Sequence, residues 1–150
     1  MDNGGIIGPT NTLISRGGGT TTVKTSNGNI TTQPGTTRAN VLVVAGGGGG
    51  ADSGGGAGGL VFIKRATICG ATAYPAVIGG GGNAGVNGQP SFGTAGNCST
   101  FFCLTAKGGG RGTSSNTAGQ PGGSGSGAGG TDAGSNLSGG TASQGSQPGL

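Results

Sequence analysis

Glycine occupies 43 of the 150 positions in this chain, and no other feature restricts the possible folds as strongly. This is about four times the ordinary usage of glycine. Because a glycine inside a helix costs about 1 kcal/mol relative to alanine, the composition predicts a mainly β protein with essentially no α-helix. The length predicts one domain rather than two.

Short apolar runs separated by glycine predict the strands of a small β-sandwich-like base. Residues 40–45 (NVLVVA) are a continuous apolar run, which is typical of a strand buried on both faces. Ten of the next fourteen residues, 46–59, are glycine, and the apolar run LVFI follows at 60–63. We therefore expect two strands joined by a long glycine excursion.

Further strands are predicted on both sides of this pair. Residues 74–78 (YPAVI) predict a third strand, which Pro75 places at a sheet edge or a bulge. Residues 99–106 predict a last strand.

Before the pair, the β-branched residues of 20–33 predict a hairpin. Its strands lie near 20–26 and 29–32, and the Asn27-Gly28 dipeptide between them is a strong hairpin signal. Pro34-Gly35 predicts a turn.

The glycine-rich segments have two possible states. One is a flexible coil, the default for a chain rich in glycine and serine. The other is a polyproline-II-type helix with three residues per turn, which polyglycine can pack closely because no side chain intervenes. Glycine recurs every third residue from Gly79 to Gly88, but the register fails at Asp52, Leu104 and Thr131, which excludes collagen. We favour ordered polyglycine-II-type helices in the loops and tail, or a tail that is ordered by partners.

The composition also divides the chain into three parts. Residues 1–19 are predicted to be an N-terminal arm or linker, and residues 20–107 a β-rich core with glycine-rich loops. Residues 108–150 are predicted to be a glycine- and serine-rich tail, because 16 of these 43 residues are glycine.

Enzymatic chemistry is not expected of this composition. The chain has no histidine and no glutamate, so the usual general acids and bases are missing. Residues 54–59 match G-x-G-x-x-G, but neither the helix nor the acidic residue that a dinucleotide site needs follows them. We expect no catalytic residues, no cofactor and no metal site.

Three cysteines, Cys69, Cys98 and Cys103, cannot all pair within one chain. We interpret them as reduced, small apolar residues of the core. One disulfide with one free thiol is the alternative.

The net charge of +4 comes from seven dispersed basic residues, and only Lys64 and Arg65 are adjacent. A nucleic-acid-binding protein would cluster its cations and interleave them with aromatic residues. No apolar run is long enough to span a membrane. We therefore expect neither nucleic acid nor membrane insertion, and the start of the chain does not resemble a signal peptide.

Aromatic and polar side chains are the remaining candidates for function. A small core needs its few large residues, so we assign Phe62, Tyr74, Phe92, Phe101 and Phe102 to the interior. Several polar residues occupy glycine-rich connections, where they are either solvent-facing turn residues or a recognition surface held on a rigid scaffold. They are Asn83, Asn87, Gln89, Arg111, Asn116, Gln120 and Asp132.

An ordered series of blocks resembles the glycine-rich domain of bacteriophage tail-fibre and virion proteins. It begins with VLVVAGGGGG (41–50) and GGGAGG (54–59), and continues with YPAVIGGGG (74–82) and SFG (91–93). KGGG (107–110) and GGSG (122–125) resemble the later glycine blocks of the family. GIIGP (5–9) resembles lead-ins of marine phage proteins of this type. The resemblance covers about residues 4–130.

The resemblance implies a β-rich base whose loops extend into glycine-rich segments. In related phage adhesins such segments form bundles of polyglycine-II helices with receptor-contacting loops at the tip. It therefore favours the recognition interpretation for Asn83, Asn87, Gln89, Arg111, Asn116 and Gln120. We expect the chain to differ from the family in having no large N-terminal shaft, and its insertion between Cys98 and Cys103 is unusual for the family.

The function that the resemblance implies is attachment to the host. We expect a non-enzymatic virion protein of tail-fibre or adhesin type, made in the host cytoplasm and released by lysis. Its expected partners are other virion proteins, a host-surface glycan or outer-membrane protein, and further copies of itself. A capsid decoration, cement or head-fibre protein is the first alternative, and an ice-binding polyglycine-II protein is the second.

Overall fold

The structure is a computed structural model, and it describes residues 20–86, 91–130 and 136–144. The predicted arm at 1–19 lies outside the described residues. Six strands form two antiparallel sheets, and the described residues contain no helix, which confirms the mainly β prediction. The strands are β1 (Gly28–Thr31), β2 (Arg38–Val44), β3 (Leu60–Thr67), β4 (Ala73–Val77), β5 (Ser99–Phe101) and β6 (Leu104–Ala106).

The core lies between the two sheets. The order β1-β4-β5-β6 forms one sheet, and β2 pairs with β3 in the other. Successive side chains of a strand point to opposite faces, so Val43 of β2 and Val61 of β3 point inward together. They pack with Ala45 and Ala106 as the buried cluster, against which four partly buried side chains lie: Val41, Ile63, Phe101 and Leu104.

The other face of β2 and β3 is open to solvent. Leu42 and Val44 are 58% and 52% exposed, and Leu60 opposite Val44 is also exposed. The prediction that residues 40–45 are buried on both faces is therefore wrong. A continuous apolar run does not reveal how many layers cover a sheet, and here only one layer does.

The predicted hairpin around Asn27 is also wrong. Residues 20–26 form no strand. Instead, β1 pairs with β4, which is distant in sequence, and Ile30 of β1 lies opposite Tyr74 of β4. The Asn27 side chain serves this pairing, because its Oδ1 accepts a hydrogen bond of 2.8 Å from the Ile78 amide. The turn at Pro34-Gly35 is confirmed: the Thr36 amide donates to the Gln33 carbonyl, and Gly35 has a φ of 79°.

Residues 99–106 form two short strands rather than one. Phe101 pairs with Leu104, so Phe102 and Cys103 are a two-residue loop between β5 and β6. β4 is an interior strand and pairs with β1 without a bulge, which corrects the edge or bulge expected from Pro75. The ladder tolerates Pro75 because β5 pairs only with Ala76 and Val77.

Several residues assigned to the core lie on the surface. All three cysteines are free and exposed, so the core interpretation is wrong for them. Phe92 and Phe102 are also exposed, whereas Tyr74 is buried and its hydroxyl accepts a hydrogen bond from the Cys69 amide. In the part of the chain that the structure describes, no helix is long and apolar enough to cross a membrane.

Candidate functional site

Glycine-rich segments extend from the strands and run alternately away from and back toward the sheets. Within the described residues there are eight such segments, which we call the glycine bundle. The first, residues 45–50, continues β2, and the second, residues 54–59, returns into β3. The others are residues 79–86, 91–97, 107–113, 117–122, 123–130 and 136–144.

Backbone hydrogen bonds hold the segments together, and they recur every third residue. The amides of Ser53, Gly56 and Gly59 donate to the carbonyls of Thr113, Gly110 and Lys107. The amides of Gly46 and Gly49 donate in the same way to Asn97 and Thr94. A period of three is that of a polyproline-II-type helix, and neither a strand nor an α-helix has it.

The first segment lies in the middle of this network. Its amides donate to the carbonyls of residues 54–59 and 91–97, which run antiparallel to it. Its carbonyls accept from the amides of residues 79–86 and 107–113, which run parallel to it. Glycine is required there by close approach. A Cβ on Gly49 would overlap the carbonyl of Asn83, and a Cβ on Gly48 would overlap that of Gly110.

Hydroxyl side chains take the place of a hydrophobic core inside the bundle. Thr113 is fully buried, and Ser91, Ser114 and Ser126 are almost so. Among the described residues no buried side-chain nitrogen or oxygen lacks a hydrogen-bond partner. Since an unpaired buried polar group is costly, this pairing of the buried side-chain groups stabilises the bundle.

The end of the bundle farthest from the sheets, which we call the tip, is built from tied turns. The Thr113 amide donates to Ser53 Oγ at 2.8 Å, and the Ser53 amide donates to the Thr113 carbonyl at 3.2 Å. Asp52 Oδ2 accepts from both the amide and the hydroxyl of Ser115, each at 3.0 Å. These bonds fix the 51–53 turn against the 113–115 turn.

An aromatic ring and a guanidinium group form the most distinctive surface feature near the tip. The Arg111 Cζ atom lies 4.9 Å from the centroid of the Phe92 ring, and both side chains are exposed. A glycine follows each of these two residues in the chain. The Gly93 amide donates to the Gly112 carbonyl, and this hydrogen bond keeps Phe92 and Arg111 side by side. An exposed Val86 side chain lies on the segment next to Phe92, which adds an apolar element.

The structure places the predicted recognition residues at different levels of the bundle. Arg111 and Asn116 are exposed near the tip, and the Asn116 amide donates to the Gly130 carbonyl. Asn83 is exposed lower on the side, where its amide donates to Thr94 Oγ1. Gln120 is half-buried, and its Nε2 donates to the Ala118 carbonyl of its own segment.

Asn87, Gln89 and Asp132 lie outside the described residues. The sequence reasoning missed Asp52, Val86 and the surface role of Phe92. A charged residue between two glycine runs, as Asp52 is, was the available signal. The SFG block around Phe92 was another.

Among the residues that the structure describes, the surface near the tip contains one carboxylate, one guanidinium and one aromatic ring. No group of three histidine, cysteine or acidic residues that could hold a metal ion occurs in the described ranges. An aromatic ring beside a fixed cation suits the binding of a planar, sugar-like or anionic ligand.

Comparison with known proteins supplies a family and no closer relative. Neither the curated proteins nor the solved structures contain a significant match to the chain. The profile of one protein family, described as a glycine-rich domain, matches residues 20–149. This match covers both the glycine bundle and the two packed sheets of β1 to β6, which we call the sandwich. The chain therefore belongs to the glycine-rich domain family.

Proposed function

We propose that this chain is a non-enzymatic bacteriophage virion protein of tail-fibre or adhesin type that attaches the particle to its host. The observation that carries the proposal is the Phe92–Arg111 pair, which is presented near the tip of a bundle held together by backbone hydrogen bonds. Rigid supports that end in polar and aromatic loops are typical of binding surfaces. The proposed ligand is a host-surface glycan or an outer-membrane protein.

The composition of the tip favours recognition over catalysis. A sugar can stack on an exposed aromatic ring, and a guanidinium binds carboxylate or phosphate groups through two parallel hydrogen bonds. Because backbone hydrogen bonds join the two segments that carry Phe92 and Arg111, binding would cost little conformational entropy.

The proposal includes assembly with further copies of the chain. Leu42, Val44 and Leu60 are neighbours on the solvent face of β2 and β3, and each is exposed. A contiguous apolar patch on a soluble protein marks an interaction surface. Light scattering on the purified protein and on Leu42→Lys tests this part, because the lysine should shift the mass toward that of one chain.

Retention of the purified full-length protein on bacterial cells tests the attachment function. We expect retention on the host strain, and loss of most of it for the double variant Phe92→Ala/Arg111→Ala. Lys64→Ala is the matched control, because it removes an exposed cation from the sandwich and should bind as the parent does. Equal retention of all three proteins would reject the tip as the binding site.

Immunogold electron microscopy of phage particles tests the location. Label at tail or fibre tips supports the adhesin role. Label over the whole capsid would instead identify a decoration or cement protein, and particles without label would reject a virion role.

A further inference from the structure

Backbone strain is concentrated at the end of the sandwich opposite the glycine bundle. This base end is where β2 begins, where β3 ends and where the β5–β6 loop lies. Four non-glycine residues of the described chain have φ in the left-handed region. Arg65, Ala71 and Phe102, with φ values of 55°, 52° and 56°, lie at the base end, and Asn116 lies at the tip.

Two of these residues occupy positions that normally select glycine. Lys64 and Arg65 form a bulge opposite Asn40, and a left-handed bulge position favours glycine. Phe102 is the first residue of a two-residue hairpin loop, where a positive φ also favours glycine. A chain with 43 glycines has arginine and phenylalanine here instead. Such strain collects at functional sites.

The strained positions are supported by specific contacts. The Arg65 amide donates to Asn40 Oδ1 at 2.9 Å, and Arg38 Nη1 donates to the Arg65 carbonyl at 3.4 Å. The Phe102 ring packs edge-on against Tyr74, with their centroids 5.4 Å apart. The side chains of Arg65 and Phe102 remain exposed, although these contacts hold their backbones in place.

An apolar cleft opens between these two positions. Its volume is about 90 Å³, which is large enough to admit a small side chain. Its lining is almost entirely apolar, and Phe102 forms part of it together with Val41, Ile63, Ile68, Phe101 and Leu104. One aliphatic side chain suits this shape better than water does, because water needs polar partners.

Positive charge lies beside the cleft. Arg65 directly precedes Ala66, and Arg38 pairs with Thr67, and both Ala66 and Thr67 line the cleft. With Lys64 they place three exposed cations at the base end. The one acidic residue that the structure describes, Asp52, lies at the tip, about 40 Å away along β2 and the first glycine segment.

We infer that the base end is a docking site for an acidic, extended segment of another protein. An aliphatic side chain of that segment enters the cleft beside Phe102, and flanking carboxylates pair with Arg38, Lys64 and Arg65. A protein segment fits better than a nucleic acid, because three cations around one exposed ring do not form a groove that follows a phosphate backbone with stacked bases. The inference deepens the proposed function, since the partner would be the virion protein that carries this chain.

Selection from a library of random displayed peptides on the immobilised full-length protein tests the inference. A parallel selection uses the variant Arg65→Gly/Phe102→Gly, in which both residues are replaced by the type that their φ values favour. We expect peptides enriched only on the parent protein to combine aspartate or glutamate with leucine, isoleucine or phenylalanine. A selected peptide should bind the variant at least about tenfold more weakly by fluorescence polarisation, and its binding should weaken at high salt.

Several outcomes would overturn the inference. Peptides without acidic residues, or the same peptides enriched on both proteins, would reject the site. Tighter binding of a single-stranded DNA oligonucleotide than of any selected peptide would assign the cations to nucleic acid. A thermal melting temperature of the variant at or above that of the parent shows that lost binding is not lost folding.

The failure of this inference can be separated from failure of the proposed function. Peptide binding should survive Phe92→Ala/Arg111→Ala, and cell retention should survive Arg65→Gly/Phe102→Gly. Loss of both activities in both variants would mean that the two ends are not independent sites.

Discussion

The guanidinium carbon of Arg111 lies 4.9 Å above the ring of Phe92, although 18 residues separate the two in sequence. The glycine bundle brings them together, because their segments are neighbours joined by the hydrogen bond from the Gly93 amide to the Gly112 carbonyl. A cation over an exposed ring contributes only about 0.5–1 kcal/mol to stability. The pair therefore adds little to the stability of the fold.

Removal of either partner should leave the fold nearly unchanged. We expect Phe92→Ala and Arg111→Ala each to lower the free energy of unfolding by less than about 1 kcal/mol, as measured by urea denaturation. A double-mutant cycle should give a coupling energy of the same size. A loss of several kcal/mol for either variant would show that the pair supports the bundle itself.

Glycine at the centre of the bundle should be irreplaceable even by alanine. A Cβ on Gly49 would overlap the Asn83 carbonyl, so Gly49→Ala should destabilise the protein by at least about 2 kcal/mol. Gly54→Ala is the matched control, because no atom lies within 4 Å of the position that the alanine Cβ would take. Thermal melting of the two variants should therefore differ clearly, and equal melting temperatures would contradict the close packing.

The buried hydroxyl of Thr113 should stabilise the tip. Its Oγ1 contacts Ser53 Oγ at 3.2 Å and the Thr117 carbonyl at 3.2 Å. Thr113→Val keeps the shape but removes both of these side-chain hydrogen bonds, so we expect a loss of about 1–3 kcal/mol in chemical denaturation. Thr105→Val, at an exposed position of β6, is the control and should change stability little.

Adjacent valines of β2 should respond very differently to truncation. Val43 is 6% exposed and belongs to the core, so Val43→Ala should cost about 2 kcal/mol. Val44 is 52% exposed, so Val44→Ala should cost less than about 0.5 kcal/mol in the dissociated chain. The comparison by urea denaturation needs dilute protein, because a partner copy on the outer face would protect Val44.

At an ordinary strand position an alanine variant is more stable than a glycine variant. The left-handed conformation of Arg65 should reverse this order of stability. We expect Arg65→Gly to be more stable than Arg65→Ala by about 1 kcal/mol, because alanine retains the strain of a φ of 55°. At Thr105, an ordinary strand position, the alanine variant should be the more stable one. Melting curves of the four variants test this, and the same order at both positions would rule out strain at Arg65.

Much of the sheet structure could be predicted from the sequence because it is encoded locally. The apolar runs at 60–63 and 74–78 form β3 and β4, and Pro34-Gly35 forms its turn. Which strands pair with each other was harder to predict. Asn27-Gly28 resembles a hairpin loop, yet β1 pairs with β4. Local turn chemistry permits a hairpin, but long-range packing of Ile30 beside Tyr74 decides the pairing.

The candidate site could be predicted only in outline. Arg111 and Asn116 lie near the tip as surface residues, whereas Phe92 was assigned to a core that it does not join. No sequence pattern indicated that Phe92 and Arg111 would meet. The base cleft escaped prediction as well, since its residues come from strands that are distant in the chain.

The sequence by itself determined that this protein is a small β structure with glycine-rich extensions, because helix formation is unfavourable for so much glycine and the few apolar runs have the length of strands. Only the tertiary structure decided which glycine segments are neighbours and which side chains meet at the tip and the base. The physical reason is that the segments associate through backbone amides and carbonyls, which are the same in every residue except proline. Their register is therefore set by the sheets that anchor them and by the tied turns at 51–53 and 113–115.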